Sequence, residues 1–149
     1  MDEVAAVYAK DAEALTRFAA SLVGPTDAAD VVSKAVLDVL RARPDHVRNL
    51  RAYLYRAVAN EAKSHWRSHQ RRRRRDALAA SSQTSTEPPE VAGLVAEFSV
   101  LSPQQRAVVH LTYWEDLTPA VVASRLGVSE GTVRRQLARA RKKLSEVLS

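Results

Sequence analysis

The sequence contains no cysteine, which excludes disulfides and thiolate metal sites and permits an intracellular setting. Aromatic residues make up only 5% of it, so any core has to be small and built from Leu, Val and Ala. No apolar run approaches the roughly 20 residues that a membrane span needs. The opening stretch MDEVAAVYAK lacks the basic start and apolar middle of a signal peptide, so a soluble cytoplasmic protein with no membrane partner is expected. No Gly-rich phosphate loop occurs. Of the four histidines, His46, His65, His69 and His110, only His65 and His69 are close in sequence, one turn apart and without a neighbouring carboxylate. No cofactor, metal centre, small-molecule substrate or enzymatic step is therefore expected.

What the chain does have is positive charge in two places. Its 149 residues carry a formal net charge of +6 and a sequence pI of about 10.1. Of the 23 Lys and Arg, twelve lie between Arg41 and Arg75 and six between Arg134 and Lys143, as two basic surfaces meeting one polyanion would require.

The second basic cluster sits in TPAVVASRLGVSEGTVRRQLARARKKL, Thr118 to Leu144. Thr118 can cap a first helix and Pro119 suits its first position, where a missing N–H costs nothing. That helix should end near Leu126, with Gly127 supplying a tight turn, Ser129 capping a second helix and Glu130 favouring its positive end. Two helices joined by a short Gly-containing turn form a helix-turn-helix. On the second helix Val133, Leu137, Ala140 and Leu144 make the buried stripe. Gly131, Arg135, Ala138 and Lys142 lie opposite, flanked by Arg134 and Arg139, with Thr132 in the first turn. Such a helix fits the major groove of B-DNA, where Arg reads guanine edges and Lys or Arg neutralises phosphate.

Upstream, helical spacing runs from Glu3 to Val23 and stops at Gly24-Pro25. Thr26 looks like the cap of a second helix that continues to Ala42 before Pro44, with Asp30, Ser33, Lys34 and Asp38 on its polar side. That side is either a partner's docking face or simply solvated. Asn49 is placed to cap a third helix with Leu50, Tyr53, Leu54, Ala57 and Val58 as its buried stripe. Beyond Asn60 the stripe gives way to NEAKSHWRSHQRRRRR, a basic extension containing Trp66. An aromatic among cations can stack on unpaired bases, and Trp66 can equally pack on the first two helices. Residues 76–92, DALAASSQTSTEPPEVA, have no basic residue and no aromatic and read as a linker. After it, Leu94, Val95, Phe98, Val100 and Leu101 open a new apolar pattern. Ser102-Pro103-Gln104-Gln105 then offers a capping box for a helix through Val108, Val109, Leu111 and Trp114.

The expected fold is all-α: two small helical domains, 1–75 and 93–149, joined by a flexible linker over 76–92, the second being the helix-turn-helix. With both halves laid out, the chain resembles bacterial sigma factors of the extracytoplasmic-function group in the sigma-70 family. The segment LSPQQRAVVHLTYWEDLTPAVVASRLGVSEGTVRRQLARARKKL is similar over its whole length to region four. DAADVVSKAVLDVL, RAYLYRAVAN and AKSHWR are similar to region two. The resemblance implies a promoter-specificity subunit with core RNA polymerase and promoter DNA as partners and an anti-sigma protein as a possible third. Ser129, Glu130, Gly131, Thr132, Arg134, Arg135, Ala138, Arg139 and Lys142 would then read the −35 element as duplex. Asn60, Lys63, Ser64, Trp66, Arg67 and Arg71 would lie against the −10 element as its strands part, and Asp30, Ser33, Lys34 and Leu37 would face the polymerase clamp. The chain departs from the family pattern at Ala29, Ser33, Lys34, Val36 and Leu40, which leaves the strength of that clamp contact open.

Two other classes fit parts of the chain. A free-standing helix-turn-helix regulator would bind symmetric half-sites as a dimer. A DNA-processing enzyme would need a ligand cluster that the histidines do not form.

Overall fold

A computed structural model describes residues 3–42, 47–79 and 100–148. The apolar spacing upstream produces three helices: α1 (Glu3–Val23), α2 (Ala28–Ala42) and α3 (Leu50–Ala79). In α1, Val4, Leu15, Phe18, Ala19 and Leu22 are buried, and in α2 the buried residues are Ala28, Val31, Val32, Ala35, Val36 and Val39. The Asn49 side chain accepts the Ala52 amide at 3.0 Å and so caps α3 as expected. The α2 cap falls one residue later than expected, because the Asp27 carbonyl, not that of Thr26, takes the first intrahelical bond, from Val31. Pro44, His46 and the stretch from Leu94 to Phe98 lie outside the described residues, as does most of the expected linker.

α3 is longer than its stripe foretold. It spans 30 residues, about 45 Å at the rise of an α-helix, and continues to Ala79 past the expected boundary at Arg75. Leu54 and Val58 are buried as expected, but so are Ala52, Tyr55, Ala59 and Ala62. This wide apolar arc lets α3 pack on two sides at once.

In the second half, α4 (Pro103–Val109) begins with a full capping box in which Ser102 accepts the Gln105 amide and the Gln105 side chain accepts the Ser102 amide. It runs on as a π-helical turn, His110–Trp114, instead of an ordinary helix. The wider turn places Trp114 outside, 70% exposed, so it continues the helix but does not join the core. Thr118 caps α5 (Pro119–Leu126), Gly127 closes it in the left-handed conformation at φ 67°, and α6 (Glu130–Leu148) follows. Val122 beneath α5 and Val133, Leu137 and Ala140 on α6 are buried together, with Leu126 and Val128 packed at their edge.

The halves are not separate. Buried residues of α1, α2 and α3 form one continuous apolar cluster with Ala107, Val108, Leu111, Val122, Ala123, Val133 and Leu137.

Candidate nucleic-acid interface

The exposed side of α6 is built by its first turn. The Ser129 hydroxyl accepts the Thr132 amide at 3.1 Å and lies 2.9 Å from the Thr132 hydroxyl. Arg135 donates to that same Thr132 hydroxyl at 3.2 Å, and Arg134 pairs with Glu130 at 3.2 Å. Thr132 and Glu130 thus steer the two guanidinium groups, while Ala138, Arg139 and Lys142 continue the exposed face. Gly131 and Ala138 leave that face without bulk, which suits close approach to a groove wall. Of the nine residues expected to read duplex DNA, eight lie on this one helix and Ser129 caps it; all are exposed except Thr132, which is half-buried.

A second basic surface lies along α3. At about 100° per residue, Asn60, Lys63, Ser64, Arg67 and Arg71 share one stripe, and Trp66 sits to its side, half-buried. Near its start this stripe borders a groove of about 430 Å³ between α2 and α3, lined by Asp38, Val39, Tyr53, Arg56, Asn60 and Ser64 among others. Farther along, Arg71 to Arg75 are all exposed and wind round the whole helix, so α3 is cationic there on every side. The like-charged pairs Arg67/Arg71 and Arg71/Arg75 each oppose helix formation by about 0.2–0.5 kcal/mol, a cost that a polyanion relieves. His65 lies 3.3 Å from Asp27 and stacks on His69, so its neighbour is a carboxylate of the α1–α2 turn that spacing alone did not reveal.

The third set, Asp30, Ser33, Lys34 and Leu37, forms a single exposed face of α2, with Leu37 48% exposed. Two of the departures from the family pattern belong elsewhere: Val36 is buried and Leu40 packs against the core, whereas Ala29 is exposed.

Spacing did not single out the residues where the two halves meet. Phe18 of α1 is fully buried, with its ring centroid 5.0 Å from that of Tyr55 and 5.5 Å from that of His110. The Tyr55 hydroxyl donates to Glu115 at 2.6 Å, Arg125 donates to the other Glu115 oxygen at 3.0 Å, and the Arg125 guanidinium lies 4.6 Å over the Tyr55 ring. Burial and the Glu115 carboxylate raise the Tyr55 pKa, so the hydroxyl stays protonated and keeps donating. Arg106 donates to the Leu22 carbonyl at 2.9 Å, satisfying the end of α1. A side chain at Gly127 would run into Arg56, so the turn of the helix-turn-helix rests directly on α3.

His110 in this seam is buried, and its Nε2 has no hydrogen-bond partner. Burial lowers its pKa from the usual 6.5; Glu115 pulls the other way and Arg17 of α1 reinforces the drop. The unfolded chain therefore binds a proton that the folded one resists, and stability falls as pH drops below about 6.5. Melting between pH 8 and pH 5 should show this loss, and His110→Leu should flatten it; an unchanged slope in the variant would locate the effect elsewhere.

Comparison with known proteins follows the same division. Residues 7–72 match the family model described as Sigma-70 region 2, and residues 94–144 match Sigma-70, region 4. The chain is 35% identical over 143 residues to an RNA polymerase sigma-E factor of Streptomyces avermitilis, covering 91% of this chain and 79% of that one. It is 31% identical over 146 residues to the ECF RNA polymerase sigma factor SigL of Mycobacterium tuberculosis, covering 89% and 81%. Among solved structures, the sigma factor RpoE from Bartonella quintana, crystallised in complex with the anti-sigma factor NepR, superposes with a TM-score of 0.67 at 21% identity. That match covers 99% of this chain and 98% of the other, a likeness of fold.

Proposed function

The chain belongs to the extracytoplasmic-function group of the sigma-70 family, and from that premise we propose that it directs core RNA polymerase to promoters by reading the −35 and −10 elements. The observation that carries this is the pairing of two exposed basic surfaces, on α6 and on α3, in a chain whose two halves match the two DNA-reading regions of the family. In this reading α6 enters the major groove of the −35 element. Ser129 and Glu130 stand at its mouth, Gly131 and Thr132 in its first turn, and Arg134, Arg135, Ala138, Arg139 and Lys142 lie along the bases and phosphates.

Asn60, Lys63, Ser64, Arg67 and Arg71 hold the −10 strand by its phosphates, and Trp66 offers a face for an unstacked base. The groove beside Asn60 has room for such a base. Asp30, Ser33, Lys34 and Leu37 meet the polymerase clamp, and the chain supplies recognition without bond chemistry of its own. Its place of action is wherever polymerase and DNA are, the cytoplasm, and an anti-sigma protein is a partner of the kind RpoE has. Duplex reading alone would also suit a dimeric regulator, but the match to both regions favours the sigma reading.

The test is to add the purified chain to sigma-free core polymerase with genomic DNA. Run-off transcripts starting downstream of a shared motif support the proposal, and their absence with an active core overturns it. Trp66→Ala should leave duplex binding nearly intact and slow promoter opening roughly 5- to 150-fold, the loss of one stacked base. Permanganate footprinting at the −10 element reads this directly; equal losses in binding and opening would make Trp66 a packing residue.

A further inference from the structure

We propose that His65 and His69 chelate a late first-row divalent ion such as zinc on α3, with the Asp27 carboxylate holding His65 in position. Such a site lies outside the promoter reading and stands or falls without it.

Residues four apart on a helix are neighbours on one face, and two histidines at that spacing can share one metal ion. His65 and His69 have this spacing on α3, and their rings lie nearly parallel, at 7°, with centroids 6.2 Å apart. From there side-chain rotation alone can bring one nitrogen of each ring onto a shared ion at roughly 2.0–2.1 Å. The sequence shows this pair without a carboxylate beside it, and the structure supplies one. His65 Nε2 lies 3.3 Å from Asp27 Oδ2 in the turn between α1 and α2. A ligating histidine characteristically gives its other ring N–H to a carboxylate, which fixes the attitude of the ring and makes the free nitrogen a better ligand. With Nε2 turned to Asp27, Nδ1 of His65 is the nitrogen left for the ion.

Among the described residues no group of three ligands is already gathered, so water completes the coordination. A recess of about 160 Å³ beside His65, lined by Glu61, Ser64 and Ser68 among others, has room for it. Glu61 and Asp30 add negative charge to that recess, while Lys34 and Arg72 oppose it. The donor atoms select the ion: neutral imidazole nitrogens suit zinc, nickel or copper, whereas magnesium and calcium require oxygen.

The pair sits where α3 leaves the bundle. Beyond Ala62 no described residue of the helix is buried, and all ten residues from His69 to Leu78 are exposed. A helical end of that length is marginal alone in water, and the like-charged arginine pairs weaken it further. An ion joining His65 to His69 closes one turn at the root of this extension, and through Asp27 it ties that turn to the start of α2. Metal loading therefore sets how well ordered Arg71 to Arg75 are before any polyanion arrives.

The test is calorimetric titration of the full chain with zinc chloride in phosphate-free buffer, without nucleic acid. One ion per chain should bind saturably, and magnesium chloride should give no saturable heat. His65→Gln and His69→Gln should each abolish the zinc heat, and His46→Gln should leave it unchanged. Asp27→Asn, which keeps a good capping residue before α2, should weaken affinity about 10- to 100-fold, the usual loss when the carboxylate behind a ligating histidine is removed. In the zinc-loaded chain the backbone amides from Trp66 to Leu78 should exchange with deuterium more slowly, and the two Gln variants should lose that protection. No saturable zinc heat, equal binding of magnesium, binding that survives His65→Gln and His69→Gln together, or half an ion per chain with a dimer formed by it would overturn the chelate. Full affinity in Asp27→Asn would overturn the part given to the carboxylate, and unslowed exchange the bracing of the extension. A chain that binds zinc as expected but never initiates with core polymerase would instead defeat the promoter reading alone.

Discussion

Between 50 and 200 mM salt, the affinity of the chain for DNA should fall by about a thousandfold or more, the loss expected when about six phosphates are neutralised and their counterions released. Five cations, Arg134, Arg135, Arg139, Arg141 and Lys142, are exposed on α6, and six, Arg67 with Arg71 to Arg75, on α3, so the two surfaces together can supply contacts of that number. Within that steep background, Arg135→Ala separates reading from holding. Arg135 is tied to Thr132 at 3.2 Å, which would present its guanidinium to DNA in a fixed attitude. If it reads a base, alanine costs about 1–3 kcal/mol on the cognate −35 duplex and relaxes preference at one position, with the salt slope nearly unchanged. Equal losses on cognate and scrambled duplexes, with the slope reduced by about one, would make Arg135 a phosphate contact. Titrations at several salt concentrations with both duplexes decide between the two.

Phe18→Ala should give the largest loss of stability. Phe18 is completely buried and touches both Tyr55 and His110, so truncation leaves a cavity that helices from both halves would have to collapse to fill. The expected cost is about 3–5 kcal/mol, a large share of the 5–15 kcal/mol typical of a folded chain. At the scaling for chains of this size it lowers the melting temperature by roughly 10–15 °C, which calorimetry reads directly. A loss below about 1 kcal/mol would mean that the halves close over the gap, and that α1 and the π-helical turn are less firmly seated than their ring contacts imply.

The helix boundaries were legible because capping is local. Asn49, Ser102 with Gln105, Thr118 with Pro119, Gly127 and Ser129 each act within three or four residues, and each does in the structure what its position foretold. The exposed faces of α2 and α6 were legible for a related reason, since 3.6-residue periodicity sorts a helix into wet and dry sides. The seam was not legible. Tyr55 and Glu115 are 60 residues apart and Arg106 and the Leu22 carbonyl 84, and no periodicity links partners at such range.

One signal was present in the sequence. The run AYLYRAVA from Ala52 to Ala59 is apolar on more of its circumference than a helix buried on one side requires, and Tyr55 is the residue that a single stripe through Leu54 and Val58 leaves over. The π-helical turn had no such signal. An extra residue per turn leaves no mark on an amphipathic pattern this short, so Trp114 reads simply as a further helical position and its displacement to the surface has no sequence sign. The end of α3 was misjudged because five consecutive arginines followed by Ser- and Pro-rich sequence suggest a stop at Arg75, whereas Asp76, Ala77, Leu78 and Ala79 carry the helix one turn further.

The length of α3 has a thermodynamic corollary. Tyr55 and Arg56 meet the second half near one end of this helix, and the stripe from Asn60 to Arg71, where we propose that the −10 strand binds, lies farther along it, with no break in the backbone ladder between them. If a ligand on the stripe and the contact at Tyr55 favour different placements of this rod, the two are coupled, and coupling of this kind is reciprocal. By whatever factor a melted strand loosens the grip on Tyr55, that grip must discourage the strand by the same factor. A coupling measured from one end of the helix therefore fixes its size at the other.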